Sequence, residues 1–130
     1  MKVSVSQHIY SALTSDAGIT KKVGKKIYPI ATKSEVTFPF IVYEKENVAF
    51  RYDKNGVVSA DIDESIYVLA ESYTEAEDIA EMVVKVLDRK KASYAGYEVV
   101  DAIVTDIPED YVNQTYIQHV RMRFTIKDKE

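Results

Sequence analysis

The chain reads as an α+β domain, and three observations predict it: a strand pair around Asn55-Gly56, a capped amphipathic helix beginning near Thr74, and two further strands after Tyr97. The expected order is helix, two strands, helix, two strands. Two hairpins then form one antiparallel sheet of about four long strands, packed against a short N-terminal helix and the capped helix of the C-terminal half. The 130 residues, 46% hydrophobic and 29% charged with four Gly and three Pro, suit a single domain, 1–130, with enough apolar material for one core. No repeat or Pro/Ser-rich linker divides it.

At the N-terminus, Val5, Ile9, Ala12 and Leu13 fall at helical spacing, with Ser4 or Ser6 available as N-cap. Asp16-Ala17-Gly18-Ile19 can cap one more helical turn, and Lys26-Ile27-Tyr28-Pro29 reads as a brief extended segment. Loop is expected from there through Thr37. Phe40 to about Tyr52 is rich in aromatic and β-branched residues, and Val57 to about Glu71 alternates, so the hairpin spans about residues 40–71. Val58, Ala60, Ile62, Ile66, Val68 and Ala70 share one strand face, broken by Glu64, while Asp61 and Asp63 take the other. A two-residue turn at Asn55-Gly56 would pair Arg51 with Ala60, Tyr43 with Val68 and Ile41 with Ala70.

Length adds a constraint. A strand of about 13 residues spans roughly 43 Å at about 3.3 Å per residue, whereas a globule of this chain length is only about 36 Å across. The hairpin must bend sharply or protrude. Its tip carries Val48, Phe50, Arg51 and Tyr52, and exposed aromatics with an arginine are better explained by a partner surface than by water. The alternative is a bulged hairpin folded back on its own body.

Thr74 and Glu77 have capping-box spacing and lead a helix to about Arg89, with Ala76, Ile79, Ala80, Val83, Val86 and Leu87 as its apolar stripe. Tyr97 to Ile107 reads as a third long strand ended by Pro108, and Tyr116 to Ile126 as a fourth. In the fourth, Tyr116, Val120, Met122, Phe124 and Ile126 share one face, and His119, Arg121, Arg123 and Lys127 the other. The basic stripe is opposite in sign to Asp61 and Asp63. The two stripes can pair within the chain, pair between subunits, or stand separately in water.

The residues point away from catalysis. His8 and His119, the only histidines, sit on different predicted elements, and no cysteine supplies a thiolate nucleophile, metal ligand or disulfide. Gly18, Gly24, Gly56 and Gly96 form no phosphate loop, and Glu64 points away from Asp61 and Asp63, which is poor geometry for a carboxylate cage. Neither an enzyme nor a cofactor is expected. A net charge of −4 disfavours tight binding to nucleic acid, and no apolar run suggests a signal peptide or a membrane partner, so a cytoplasmic, soluble chain is expected.

Several short motifs occur in order along the N-terminal third: Ile9 to Asp16, then Ile19, Val23-Gly24, Lys26-Ile27-Tyr28-Pro29 and Phe38-Pro39-Phe40-Ile41-Val42-Tyr43. The helix after Ala70-Glu71-Ser72-Tyr73 and the late strand at Tyr116-Ile117-Gln118 extend the pattern over nearly the whole chain. This order is similar to that of small phage tail-completion proteins, the tail terminator or tail-to-head joining proteins of long-tailed phages and prophages. Lys26 departs from the arginine frequent there. The resemblance implies a virion tail protein without catalytic residues, assembled in the host cytoplasm as a homo-oligomer, a hexameric ring. It implies the tail tube protein and a head-side connector as partners, with DNA passing through unbound. On this reading the subunit interface draws on Val48, Phe50, Arg51, Tyr52, Asp61, Asp63, Arg121 and Arg123. A head-closure or neck adaptor and a non-viral ligand- or partner-binding domain are the alternatives.

Overall fold

The structure, a computed structural model, describes residues 1–30 and 36–129. Of the loop expected up to Thr37, residues 31–35 lie outside the described residues. The first helix, α1 (Ser6–Thr14), buries His8, Ile9 and Leu13. Its N-cap position is Val5, which offers no side-chain cap, so neither Ser4 nor Ser6 fills the expected role. Ser4 Oγ instead accepts from the Ser6 backbone N–H at 3.1 Å. The single turn expected after Asp16 is a full second helix, α2 (Ala17–Val23), whose first turn is held by Asp16 Oδ2 accepting from the Ile19 N–H at 3.0 Å.

The brief extended segment is a true strand, β1 (Ile27–Pro29), and it runs parallel to the first long strand, β2 (Phe40–Asp53). The long hairpin is completed by β3 (Gly56–Ala70), and α3 (Tyr73–Leu87) follows. Then come β4 (Ala92–Tyr94), β5 (Tyr97–Asp106), β6 (Glu109–Val112) and β7 (Thr115–Asp128). One seven-stranded sheet has the order β1-β2-β3-β7-β5-β4, with β6 also paired to β7. The expectation of four long antiparallel strands is thus met at the centre by β2, β3, β5 and β7. It omits three strands of three or four residues and the parallel pair at one edge. Elements this short lack the repeats of apolar residues from which a period can be read.

The second hairpin continues past Pro108. After β5 pairs with the C-terminal part of β7, the Pro108 carbonyl accepts from the His119 N–H at 2.9 Å, and β6 resumes the pairing from Glu109↔Gln118 to Val112↔Thr115. Proline removes one donor and produces a break in the strand rather than its end. The register of β3 against β7 places Ala60 opposite Ile126 and Ala70 opposite Tyr116. The two hairpin tips therefore leave the sheet at opposite ends.

Helices cover one face through α3, which touches β3, β5 and β7 and against which α1 and α2 pack. The core is this layer contact: Ile62, Ile66, Val68, Val120, Met122, Phe124 and Ile126 of the strands against Ile9, Leu13, Ile79, Val83 and Leu87 of the helices, all within 1% of full burial. The N-cap of α3 is Ser72, not Thr74, with Ser72 Oγ accepting from the Glu75 N–H at 3.4 Å, and the helix ends at Leu87 rather than Arg89. Ser72 and Glu75 also have capping-box spacing, two residues ahead of the expected pair. Ser72→Ala should therefore lower stability by about 0.5–1 kcal/mol, a Tm loss of about 2–5 °C, whereas Thr74→Ala should leave the Tm nearly unchanged in a thermal melt.

Candidate assembly surfaces

The first hairpin turns at Lys54-Asn55, with Asp53 opposite Gly56, one residue ahead of the Asn55-Gly56 turn expected. Asp53 Oδ1 accepts from the Asn55 N–H at 2.7 Å, an Asx turn, and Gly56 takes φ +120°, a value that side chains rarely tolerate. The register at the base consequently differs by two from that expected: Ile41 faces Val68 and Tyr43 faces Ile66. A slip of two keeps every side chain on its face. Two bulges complete the correction, one at Glu46 in β2 and one at Val58 in β3, so that Arg51 faces Ser59 rather than Ala60. The second bulge turns Val58 out of the apolar face, and it is exposed.

Toward the tip the hairpin leaves its supports. β7 follows β3 only as far as Ala60, and β1 follows β2 only to Tyr43. Beyond them, among the described residues, the ribbon pairs with itself alone. Val48 still packs against the edge of the core, whereas Phe50 and Tyr52 are 38% and 68% exposed and stand edge to face at 6.3 Å. Val57 and Val58 add to the exposed apolar surface. Of the two outcomes left open by strand length, the ribbon protrudes.

The face away from the helices carries the charge stripes, and Asp61, Asp63, Arg121 and Arg123 are each paired within the chain, whereas Lys127 is exposed. Arg51 Nη2 lies 2.8 Å from Asp61 Oδ2, Arg123 Nε 2.8 Å from Asp63 Oδ1, and Arg121 Nε 3.3 Å from Asp106 Oδ1. Thr125 Oγ1 donates to Asp61 Oδ1 at 2.7 Å. Burial pushes the Asp61 carboxyl up, but the hydrogen bonds from Thr125 and Arg51 and the attraction of Arg51 and Arg123 outweigh it and hold the pKa below its usual value. Arg51, Asp61, Asp63, Arg121 and Arg123 thus form a cross-strand ladder in which Arg121 takes β5, not β3, as its partner. These contacts all lie within one chain.

His119 lies on this face, its ring stacked on Tyr67 at 4.3 Å, while the Tyr67 hydroxyl donates to Glu44 at 3.0 Å. Burial, with the nearby Arg121 charge, lowers the His119 pKa. The other histidine, His8, is buried on the helix side, with Nδ1 2.8 Å from the Tyr94 hydroxyl, and burial lowers its pKa. The sheet separates the two histidines. Among the described residues no group of three or more His, Cys, Asp or Glu is placed to hold a metal ion, and no helix is long and apolar enough to cross a membrane.

In the sequence Glu64 stands out as a break in an apolar face and as a poorly placed member of a carboxylate cage with Asp61 and Asp63. It is 2% exposed, Oε1 has no hydrogen-bond partner among the described residues, and burial raises its pKa to about 7. Lys45 attracts the charged form, and Glu46 and Glu44 repel it. A second aromatic group also escaped the sequence reading: Tyr73, Tyr111 and Tyr116 meet at the far end of the sheet, with centroids 5.8 Å and 4.6 Å apart. Only register brings these three together.

An α+β unit with a ribbon reaching beyond its own core, and with both arginines of its basic stripe already paired, has the build of an assembly component. Residues 7–127 match the family described as "Tail completion protein gp17", and the chain belongs to that family. It is a structural protein of the virion tail. Among solved structures, a chain of the "Virion of native gene transfer agent (GTA) particle" superposes with a TM-score of 0.79 at 20% identity, over 92% of this chain and 91% of that one. At that identity the likeness is one of fold. No curated protein matches the chain.

Proposed function

We propose that this tail protein forms a homo-oligomeric ring, hexameric by the family resemblance, that completes the tail tube and joins it to the head-side connector. Its role is structural and involves no catalysis. The observation that carries the proposal is the ribbon tip. Phe50 and Tyr52 stand exposed on a hairpin tip that pairs with no other described strand, and exposed aromatics of this kind are the residues that dominate protein interfaces. A contact between unlike surfaces, repeated about an axis, closes into a ring.

The interface proposed centres on Val48, Phe50 and Tyr52. Arg51, Asp61, Asp63, Arg121 and Arg123 already hold partners within the chain, and in this reading they stiffen the root of the arm. Exposed pairs of this kind contribute only about 0–1 kcal/mol each. The tail tube protein and the connector are the proposed neighbours along the axis, and DNA passes through the ring without specific binding. Mass measured over a concentration series, alone and with assembled tail tubes, tests the reading. A sixfold species, or sixfold occupancy at tube ends, is the expected result; a chain monomeric under both conditions overturns it.

A further inference from the structure

On the side of α3 nearest the second hairpin, Ala80, Val84 and Ile107 floor a groove of about 350 Å³, with Gln118 at its base and Glu77 and Glu81 on its rim. Its surroundings are acidic. The segment Glu71–Val84 carries five Asp or Glu and the segment Thr105–Val120 three, and neither contains a Lys or Arg. Of these carboxylates Asp106 is engaged by Arg121, and Glu109 by the Tyr73 hydroxyl at 3.0 Å. Glu77 and Glu81 have no ion-pair partner among the described residues, and an apolar slot rimmed by unpaired carboxylates suits an aromatic side chain accompanied by a cation.

That pairing occurs on the same chain but out of its own reach. The ribbon tip offers Phe50 and Tyr52, with exposed Lys54 at the turn. Gln118 pairs with Val68 of β3, and the twelve residues from Gly56 to Val68 place the tip about 40 Å from the groove. We infer that the groove between α3 and the Ile107–Pro108 break receives the ribbon tip of a second copy of this chain, an aromatic residue entering the slot and Lys54 meeting the Glu77 and Glu81 rim. The inference rests on the ring proposed above and names the surface that receives the arm. Tip and groove are unlike surfaces at opposite ends of one sheet, so each subunit gives one contact and receives one, as ring closure requires. Charge complementarity favours a second copy: Glu77 and Glu81 make the slot rim acidic, and at the tip Asp53 is turned onto the Asn55 N–H while Lys54 stands exposed with no ion-pair partner among the described residues.

The cysteine-free chain makes the test direct. Lys54→Cys and Glu81→Cys, both at exposed positions, are made as separate full-length proteins and mixed, then treated with a short thiol-specific cross-linker. Cross-linked dimers are expected from the mixture and a ladder from the double variant, while Lys54→Cys mixed with Lys21→Cys on α2 should give none. Independently, Lys54→Glu and Glu81→Lys should each weaken association about tenfold, and their combination should restore it. An oligomer that forms without linking positions 54 and 81, or a link formed only to another protein, overturns the groove assignment and leaves the ring standing. A chain that stays monomeric at every concentration and on tubes overturns both.

Discussion

Glu64→Gln is expected to stabilise the protein by about 3 kcal/mol at pH 8 and to have almost no effect at pH 4. Burial raises the carboxyl from its ordinary 4.5 to about 7, so the native state holds the proton more tightly than the unfolded state. The stability this confers is complete below pH 4.5 and is lost as pH rises through about 7. Above that, the protein keeps an ionised carboxylate whose Oε1 has no partner among the described residues in a site 2% exposed. A shift of this size corresponds to about 3 kcal/mol at about 1.36 kcal/mol per pH unit, a net figure that already includes the pull of Lys45 on the charged form. His8 acts in the opposite sense: its lowered pKa costs stability as pH falls below 6.5. That contribution is common to both proteins and cancels in their difference. Urea melts of the two proteins from pH 4 to pH 8 check this; parallel curves would show that Glu64 ionises normally.

The second large effect concerns assembly and not folding. Phe50→Ser with Tyr52→Ser should weaken association by at least about a hundredfold, as removal of two aromatic anchors does at an interface centre. Neither residue belongs to the buried core, so stability should change by only about 1 kcal/mol, the loss of their edge-to-face and cross-strand contacts. Mass at fixed concentration, with a thermal melt on the same sample, separates the two outcomes. A double variant that assembles like the parent would remove the ribbon tip from the interface.

Much of the fold was legible in the residues, and the misses have physical causes. Alternation in β3 assigned Ile62, Ile66 and Val68 to the core even though the turn was placed one residue late, because the resulting slip of two preserves face. Val58 was misplaced because a bulge is a backbone event that leaves no mark on the alternation. Ser72 and Thr74 offered two overlapping capping boxes, and capping spacing alone cannot rank them. Length alone narrows the arm to two outcomes, a sharp bend or protrusion. What the arm touches was not legible, since the groove is built from Ala80, Val84, Ile107 and Gln118, residues of low specificity joined only by register. The acid bias of Glu71–Val84 and Thr105–Val120 was the one readable sign of that surface.

The bulge at Glu46 also bears on selectivity. Among the described strands, β1 covers only Ile41–Tyr43 of the outer edge of β2, which leaves a long run of backbone donors and acceptors open to any extended chain. Backbone recognition of that kind is promiscuous. Glu44, Lys45 and Glu46 place charge along the open edge, and the bulge disrupts its regular spacing just where the ribbon leaves the body. Indiscriminate strand addition is thereby discouraged, and the choice of neighbour passes to side chains, which can tell one protein from another in a crowded host cell.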